Sequence, residues 1–217
     1  MSFSGIIRSR LTHKISGIIL ALAALIVLPG CWVSSINPLY DEGTILDSHK
    51  DSDEVFDRSL VGAWTTTREN CTTLLTITFT DQVYDLQSKE QGEQCSDDTL
   101  HRQGHLVKLD ACYFLDVSPM DADVCDMCVA KHDIFLAKFD KATLTLTPID
   151  SDWLKQALEA KIVTLATLTN DTDTITASSQ DLKAFCREFA ENTEVFKPES
   201  AEAFDRKQGS QSAAFTL

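Results

Sequence analysis

The chain has 217 residues, with 19 basic and 33 acidic side chains and a formal net charge of −14. A surface this acidic repels phosphate backbones and anionic headgroups, which argues against a nucleic-acid partner and against a basic face lying on a membrane. The length fits one domain of about 150 residues with extensions.

Residues 1–14 carry Arg8, Arg10, His13 and Lys14 and no acid. Ile15 to Leu28 then run for 14 residues, apolar but for Ser16. A membrane-spanning helix needs about 20 apolar residues. A shorter run behind a basic start has the form of a signal peptide. Leu28-Pro29-Gly30-Cys31 follows and resembles the lipobox of bacterial lipoproteins. The resemblance implies that Cys31 receives a diacylglycerol, becomes the mature N-terminus and tethers the chain to a membrane of the cell envelope. Two or more acyl chains make such an anchor durable. Trp32 stands where many inner-membrane lipoproteins of Gram-negative bacteria carry Asp, which points to the outer membrane. Three of the 19 basic residues precede Cys31, so beyond it 16 stand against 33 acids, a net −17.

Residues 32–58 are polar, acidic and without period, and read as a linker. About 25 residues of flexible coil would hold a domain roughly 25–30 Å off a bilayer. From Leu60 the pattern changes to period two. Thr72–Thr80 alternates Thr with Leu75, Ile77 and Phe79, and Val83–Gln87 alternates again after Asp81-Gln82, which predicts a hairpin. Gln103–Leu109 and Cys112–Val117 repeat that form around Asp110-Ala111. Ser118–Asp126 reads as a loop. Val129–Phe139 and Ala142–Ile149 are two more expected strands. Asp150-Ser-Asp152 caps a short helix over Trp153–Glu159. Ile162–Leu168 suits a strand or helix edge, and Asp173–Ala177 is a last strand. Gln180–Glu191 places Leu182, Phe185, Cys186 and Phe189 on one helical face. The expected fold is mainly β, an antiparallel meander curled into a barrel, with a short helix and a C-terminal helix. The expected organisation is a signal peptide over 1–30, a linker over 31–58, the barrel domain over 59–196 and a disordered tail over 197–217.

Leu60-Val-Gly62-Ala-Trp64 resembles the Gly-x-Trp motif that opens the barrel of lipocalin-like and other calycin proteins. The resemblance implies that Trp64 plugs one barrel end and that Gly62 permits close backbone approach. A second resemblance is to a group of bacterial lipoproteins without assigned activity. It rests on Asn37-Pro-Leu-Tyr40, Leu60–Trp64, Phe114-Leu-Asp116, Leu144-Thr-Leu-Thr-Pro148 and Asp150–Trp153. It implies a small β-barrel with a C-terminal helix and transfers no catalytic residue.

Cys71, Cys95, Cys112, Cys125, Cys128 and Cys186 are six thiols in a chain bound for an oxidising compartment, so disulfides are expected. The best single pair is Cys71 with Cys95, at the two ends of the first hairpin though not in perfect register. Cys125-Asp-Met-Cys128 with Cys112 and His132 also has the look of a zinc site or a redox pair. Against these, no second Cys-x-x-Cys exists and the strand–helix setting of a thioredoxin is missing. His101 and His105 lie about 13 Å apart on a strand and read as surface residues. Asp116, Asp121, Asp123 and Asp126 read as a solvated acidic loop, without the spacing of a calcium-binding hand. No Gly-x-Ser-x-Gly, phosphate loop or His-Glu-x-x-His is present, so no catalytic residue, metal or cofactor is assigned. Three functions remain. One is a binding module holding a small apolar ligand among Leu75, Ile77, Phe79, Tyr113 and Leu115. Another is a structural or interaction protein of the envelope with a filled barrel and a protein partner. The third is an enzyme built on Cys125 and Cys128. A ligand needs a cavity of about 300 Å³ or more, and large inward side chains leave no room for it.

Overall fold

Alternating Thr and apolar residues make the first long strand, and a two-residue turn sends it back. In the computed structural model, which describes residues 33–40, 53–93, 95–96, 98–120, 129–169 and 171–207, that strand is β3 (Cys71–Thr80). It pairs with β4 (Val83–Gln91) from Thr80↔Val83 to Thr72↔Gln91. Asp81 and Gln82 take left-handed φ values of 51° and 68°. That backbone suits the right-handed twist of a hairpin. β5 (Thr99–Leu109) and β6 (Cys112–Pro119) form the second hairpin, with Asp110 at φ 55°. β7 (His132–Phe139) and β8 (Thr143–Pro148) form the third.

These strands, with β2 (Gly62–Arg68) and β11 (Glu202–Arg206), close on themselves. The order is β2-β3-β4-β5-β6-β7-β8-β11 and back to β2, with every neighbouring pair antiparallel. The result is an eight-stranded antiparallel barrel without a free edge.

A second layer covers part of the outside. β1 (Ser34–Ser35) takes over the edge of β7 where β8 has ended, pairing Ser34↔Asp133 and Ser35↔His132. β10 (Asp171–Ile175) runs parallel to β1, and β9 (Thr167–Leu168) pairs with β10. Two helices complete the layer. α1 (Ser151–Glu159) is capped by the Asp150 carboxylate, which accepts from Trp153 N at 2.7 Å. α2 (Ser179–Phe189) is capped by Ser178, which accepts from Asp181 N at 3.2 Å. Both caps satisfy amides the first helical turn leaves open.

Two apolar cores follow. One fills the barrel and includes Leu60, Trp64, Leu75, Ile77, Tyr84, Leu106, Leu115, Phe135, Leu144 and Phe204. The other lies between the barrel wall and the outer layer, where Val33, Leu39, Phe114, Ile134, Leu136, Leu154, Leu182 and Phe185 meet. This explains the pattern of β6 and β7, whose middles are buried residue after residue. A strand covered on both faces loses its polar alternation.

Two expected segments differ. The linker expected over 31–58 is in part structure: Val33, Leu39 and Tyr40 are buried, and β1 is a sheet strand. Its acids have partners, since Asp53 lies 3.2 Å from both Lys183 and Arg187 of α2. Residues 41–52 lie outside the described residues. The tail expected from 197 is also structure as far as Arg206, because β11 alternates Phe204 inward and completes the barrel. The signal peptide expected over 1–30 and Cys31 lie outside the described residues.

Candidate functional site

The barrel end nearest Gly62 is closed by Trp64 and Arg206 together with the turn Arg58–Leu60. Trp64 is fully buried, and its Nε1–H donates to Leu60 O at 3.0 Å. The Arg206 guanidinium covers the indole face, 4.0 Å from the ring centroid. Arg206 also donates to Val61 O at 2.9 Å and to Ser59 O. A partly buried cation over an indole contributes about 1 kcal/mol. The clamp ties β11 to the 3-10 turn at Arg58–Leu60 and to the start of β2, joining both ends of the barrel sequence. Arg206 fell within the expected tail. The signal that could have placed it is the alternation of Phe204 and Arg206.

The residues expected to line a ligand site do face the barrel interior. Leu75, Ile77 and Leu115 are buried there, and Phe79 and Tyr113 pack against them. They meet one another and Trp64, Tyr84, Phe135 and Leu144 in one contiguous cluster. Burial pushes the Tyr84 phenol up to about 12, and its oxygen bonds the backbone of Asp57. At the opposite end the inward positions turn polar: Arg68, Glu90, Arg102, Asp133 and Glu202 share the register of the interior residues. Burial raises the Asp133 carboxyl to about 6, with Arg102 opposing and Asp116 adding. Burial also raises Glu202, with Arg68 opposing and Glu90 adding.

The most elaborate polar arrangement lies on the outer wall. Asp116 on β6 is 0% exposed. Its Oδ1 accepts from His132 Nδ1 at 2.8 Å and its Oδ2 accepts from Leu39 N at 2.6 Å. On β5, His105 is 4% exposed, and its Nδ1 lies 2.6 Å from Glu54 Oε1. Between the two histidines sits Tyr40, stacked on His105 at 3.8 Å and edge-on to His132 at 6.1 Å. Asn37 fixes the far side, donating from Nδ2 to Ala177 O at 2.8 Å. Two His–carboxylate pairs thus hold the strand-crossing segment Asn37–Tyr40 against the barrel.

Two expectations are corrected here. Asp116 is not part of a solvated acidic loop, because its position in β6 alternates to the covered outer face. Asp121, Asp123 and Asp126 lie outside the described residues. His105 is not a surface residue for the same reason, while His101 is half-exposed and meets Gln87 at 3.3 Å.

Of the six thiols, Cys71 and Cys95 form a disulfide, with an S–S distance of 2.02 Å. It links the β2–β3 turn to the segment after β4. Gly92 leaves room for it, since a Cβ there would meet Asn70 O and Cys95 Sγ at 2.4 Å. Cys112 and Cys186 are free thiols, not bridged as expected. Cys186 points inward from α2 with Leu182 and Phe185 and acts as a small apolar side chain. Burial pushes its thiol well up, with Asp116 adding, so it is a poor nucleophile. Cys125 and Cys128 lie outside the described residues. Among the described residues no group of three or more His, Cys, Asp or Glu is gathered around a metal position. No described helix is long and apolar enough to cross a membrane.

No protein-family model matches this chain, and no curated protein or solved structure matches it significantly. The likeness to lipocalin-like barrels therefore rests on architecture: eight antiparallel strands, closed, with the Gly-x-Trp at the start of the first.

Proposed function

We propose that this protein is a lipid-anchored envelope protein whose barrel is a filled structural and interaction module. The lipid would sit on Cys31 and the membrane would be bacterial, the outer one where there are two. The observation that carries the module reading is the occupied interior. Trp64, Leu75, Ile77, Tyr84, Leu106, Leu115, Phe135, Leu144 and Phe204 pack on one another where an apolar ligand would lie. The clamp of Arg206 on Trp64 supports the same reading, since it fixes one end shut. A protein partner in the envelope is the expected user of such a module, and a carrier of a small apolar ligand is the competing reading. No residue is assigned a catalytic role.

Native mass spectrometry of the protein extracted from the envelope tests both parts. The expected spectrum shows a diacylated or triacylated N-terminus at Cys31 and no ligand mass. An added mass that survives gentle desolvation and leaves on unfolding would favour the carrier. An unmodified Cys31 would remove the anchor.

A further inference from the structure

We infer that the folded domain lies directly on the bilayer, with no spacer, and that the lipid surface is the partner of the face around β1. The inference rests on the acylation of Cys31 proposed above and goes beyond it to how the domain is held. A flexible linker over 31–58 would give the domain free height. The structure removes that height at its start. Val33 is 1% exposed, and Ser34 and Ser35 are built into the sheet between β7 and β10. Ile36 N donates to Ile175 O at 3.0 Å, Asn37 holds Ala177 O, and Asp116 holds Leu39 N. Tyr40, stacked on His105, completes the docking. Between Cys31 and Val33 stands Trp32 alone. Two residue steps reach about 7 Å at full extension. An acylated Cys31 has its chains in the hydrocarbon, so the surface around the buried Val33 must meet the headgroups.

The composition of that surface fits neutral headgroups. One register step before the Ser34↔Thr174 pair, Asp173 stands beside Val33. Asp171, Asp152, Lys155 and Lys131 are close enough to act on its carboxyl electrostatically. Three carboxylates against two ammonium groups leave little net field, so contact needs no anionic lipid. Leu168 on β9, paired with Asp171 and 45% exposed, adds an apolar side chain.

Neutron reflectometry of the natively acylated protein on a supported phosphatidylethanolamine–phosphatidylcholine bilayer tests this. The protein layer is expected to begin at the headgroups, with a water gap under about 10 Å, as the 7 Å reach requires. A 12-residue Gly/Ser insertion between Trp32 and Val33 leaves the folded part intact and is expected to raise the layer by about 20 Å. A gap of about 20 Å or more in the unaltered protein, or no rise on insertion, overturns the inference while acylation stands. Mass analysis of the same sample separates the two readings. An unacylated Cys31 overturns the anchor and this inference with it.

Discussion

Replacing Asp116 by Ala is the sharpest perturbation the structure offers. The carboxylate is fully buried and holds two donors, His132 Nδ1–H at 2.8 Å and Leu39 N–H at 2.6 Å. Alanine strands both donors where water does not reach. A bond to a charged group contributes roughly 1.5–3 kcal/mol, and breaking a buried pair from one side costs about 3–5 kcal/mol. With a urea m-value of about 2 kcal/mol/M, the midpoint should fall by about 2 M. Asparagine is the control that separates hydrogen bonding from shape. Its carbonyl can accept from Leu39 N, and its amide can donate to His132 Nδ1 once the ring proton moves to Nε2. The expected cost is about 1 kcal/mol. Hydrogen exchange at the Leu39 amide gives a local readout: slow in the unaltered protein and in Asp116→Asn, fast in Asp116→Ala. The reasoning fails if Asp116→Ala costs under about 1 kcal/mol, or if Asp116→Asn costs as much as alanine.

Three further outcomes follow from other parts of the molecule. Arg206→Lys keeps a charge but loses the fork to Ser59 O and Val61 O, and is expected to cost about 2 kcal/mol by chemical denaturation, with red-shifted Trp64 emission. A Cys71→Ser, Cys95→Ser double variant opens a link spanning 24 residues. It should lose about 3.5 kcal/mol on the loop-entropy estimate, seen as a lower Tm that reductant no longer changes. Asp133→Asn should stabilise the protein at neutral pH. The carboxyl has its folded value raised from 3.8 to about 6, so the folded state binds more protons than the unfolded one between those values. Stability from this group is full below pH about 4 and is lost as pH rises through about 6. At 1.4 kcal/mol per unit the gain at pH 7 is at most about 3 kcal/mol, shrinking to nothing near pH 4, and equal effects at both pH values would contradict it.

The barrel was legible because most of its strands face water on one side. Thr72–Thr80 alternates for that reason, and the turns at Asp81-Gln82 and Asp110-Ala111 each open with an Asp, which tolerates a left-handed backbone. The disulfide was legible because hairpin geometry brings strand ends together. The outer layer was not. Ser34 and Ser35 form too short a strand to show a period, and Glu54 and Asp53 look like solvated acids until His105, Lys183 and Arg187 are found beside them. Asp116 looked like a member of an acidic run because its partners, His132 and the Leu39 amide, lie 16 and 77 positions away. Burial of a single polar residue depends on what covers it, and sequence pattern speaks only for its own strand.

The motif fragments gain meaning from their contacts. Asn37-Pro-Leu-Tyr40 and Phe114-Leu-Asp116 are far apart in sequence, and a hydrogen bond of 2.6 Å joins Leu39 of the first to Asp116 of the second. Leu60–Trp64 is completed by Arg206, and Asp150–Trp153 is a helix cap in which Asp150 also holds Lys197 at 2.8 Å. Each fragment is thus one half of a joint between parts of the fold that lie far apart in sequence. Such joints serve a fixed relation between the barrel, its helical layer and the chain that arrives from Cys31. A free tether would need none of the bonds at Asn37, Leu39 and Tyr40. With the anchor proposed at Cys31, these bonds make the height of the domain above a bilayer something its sequence specifies.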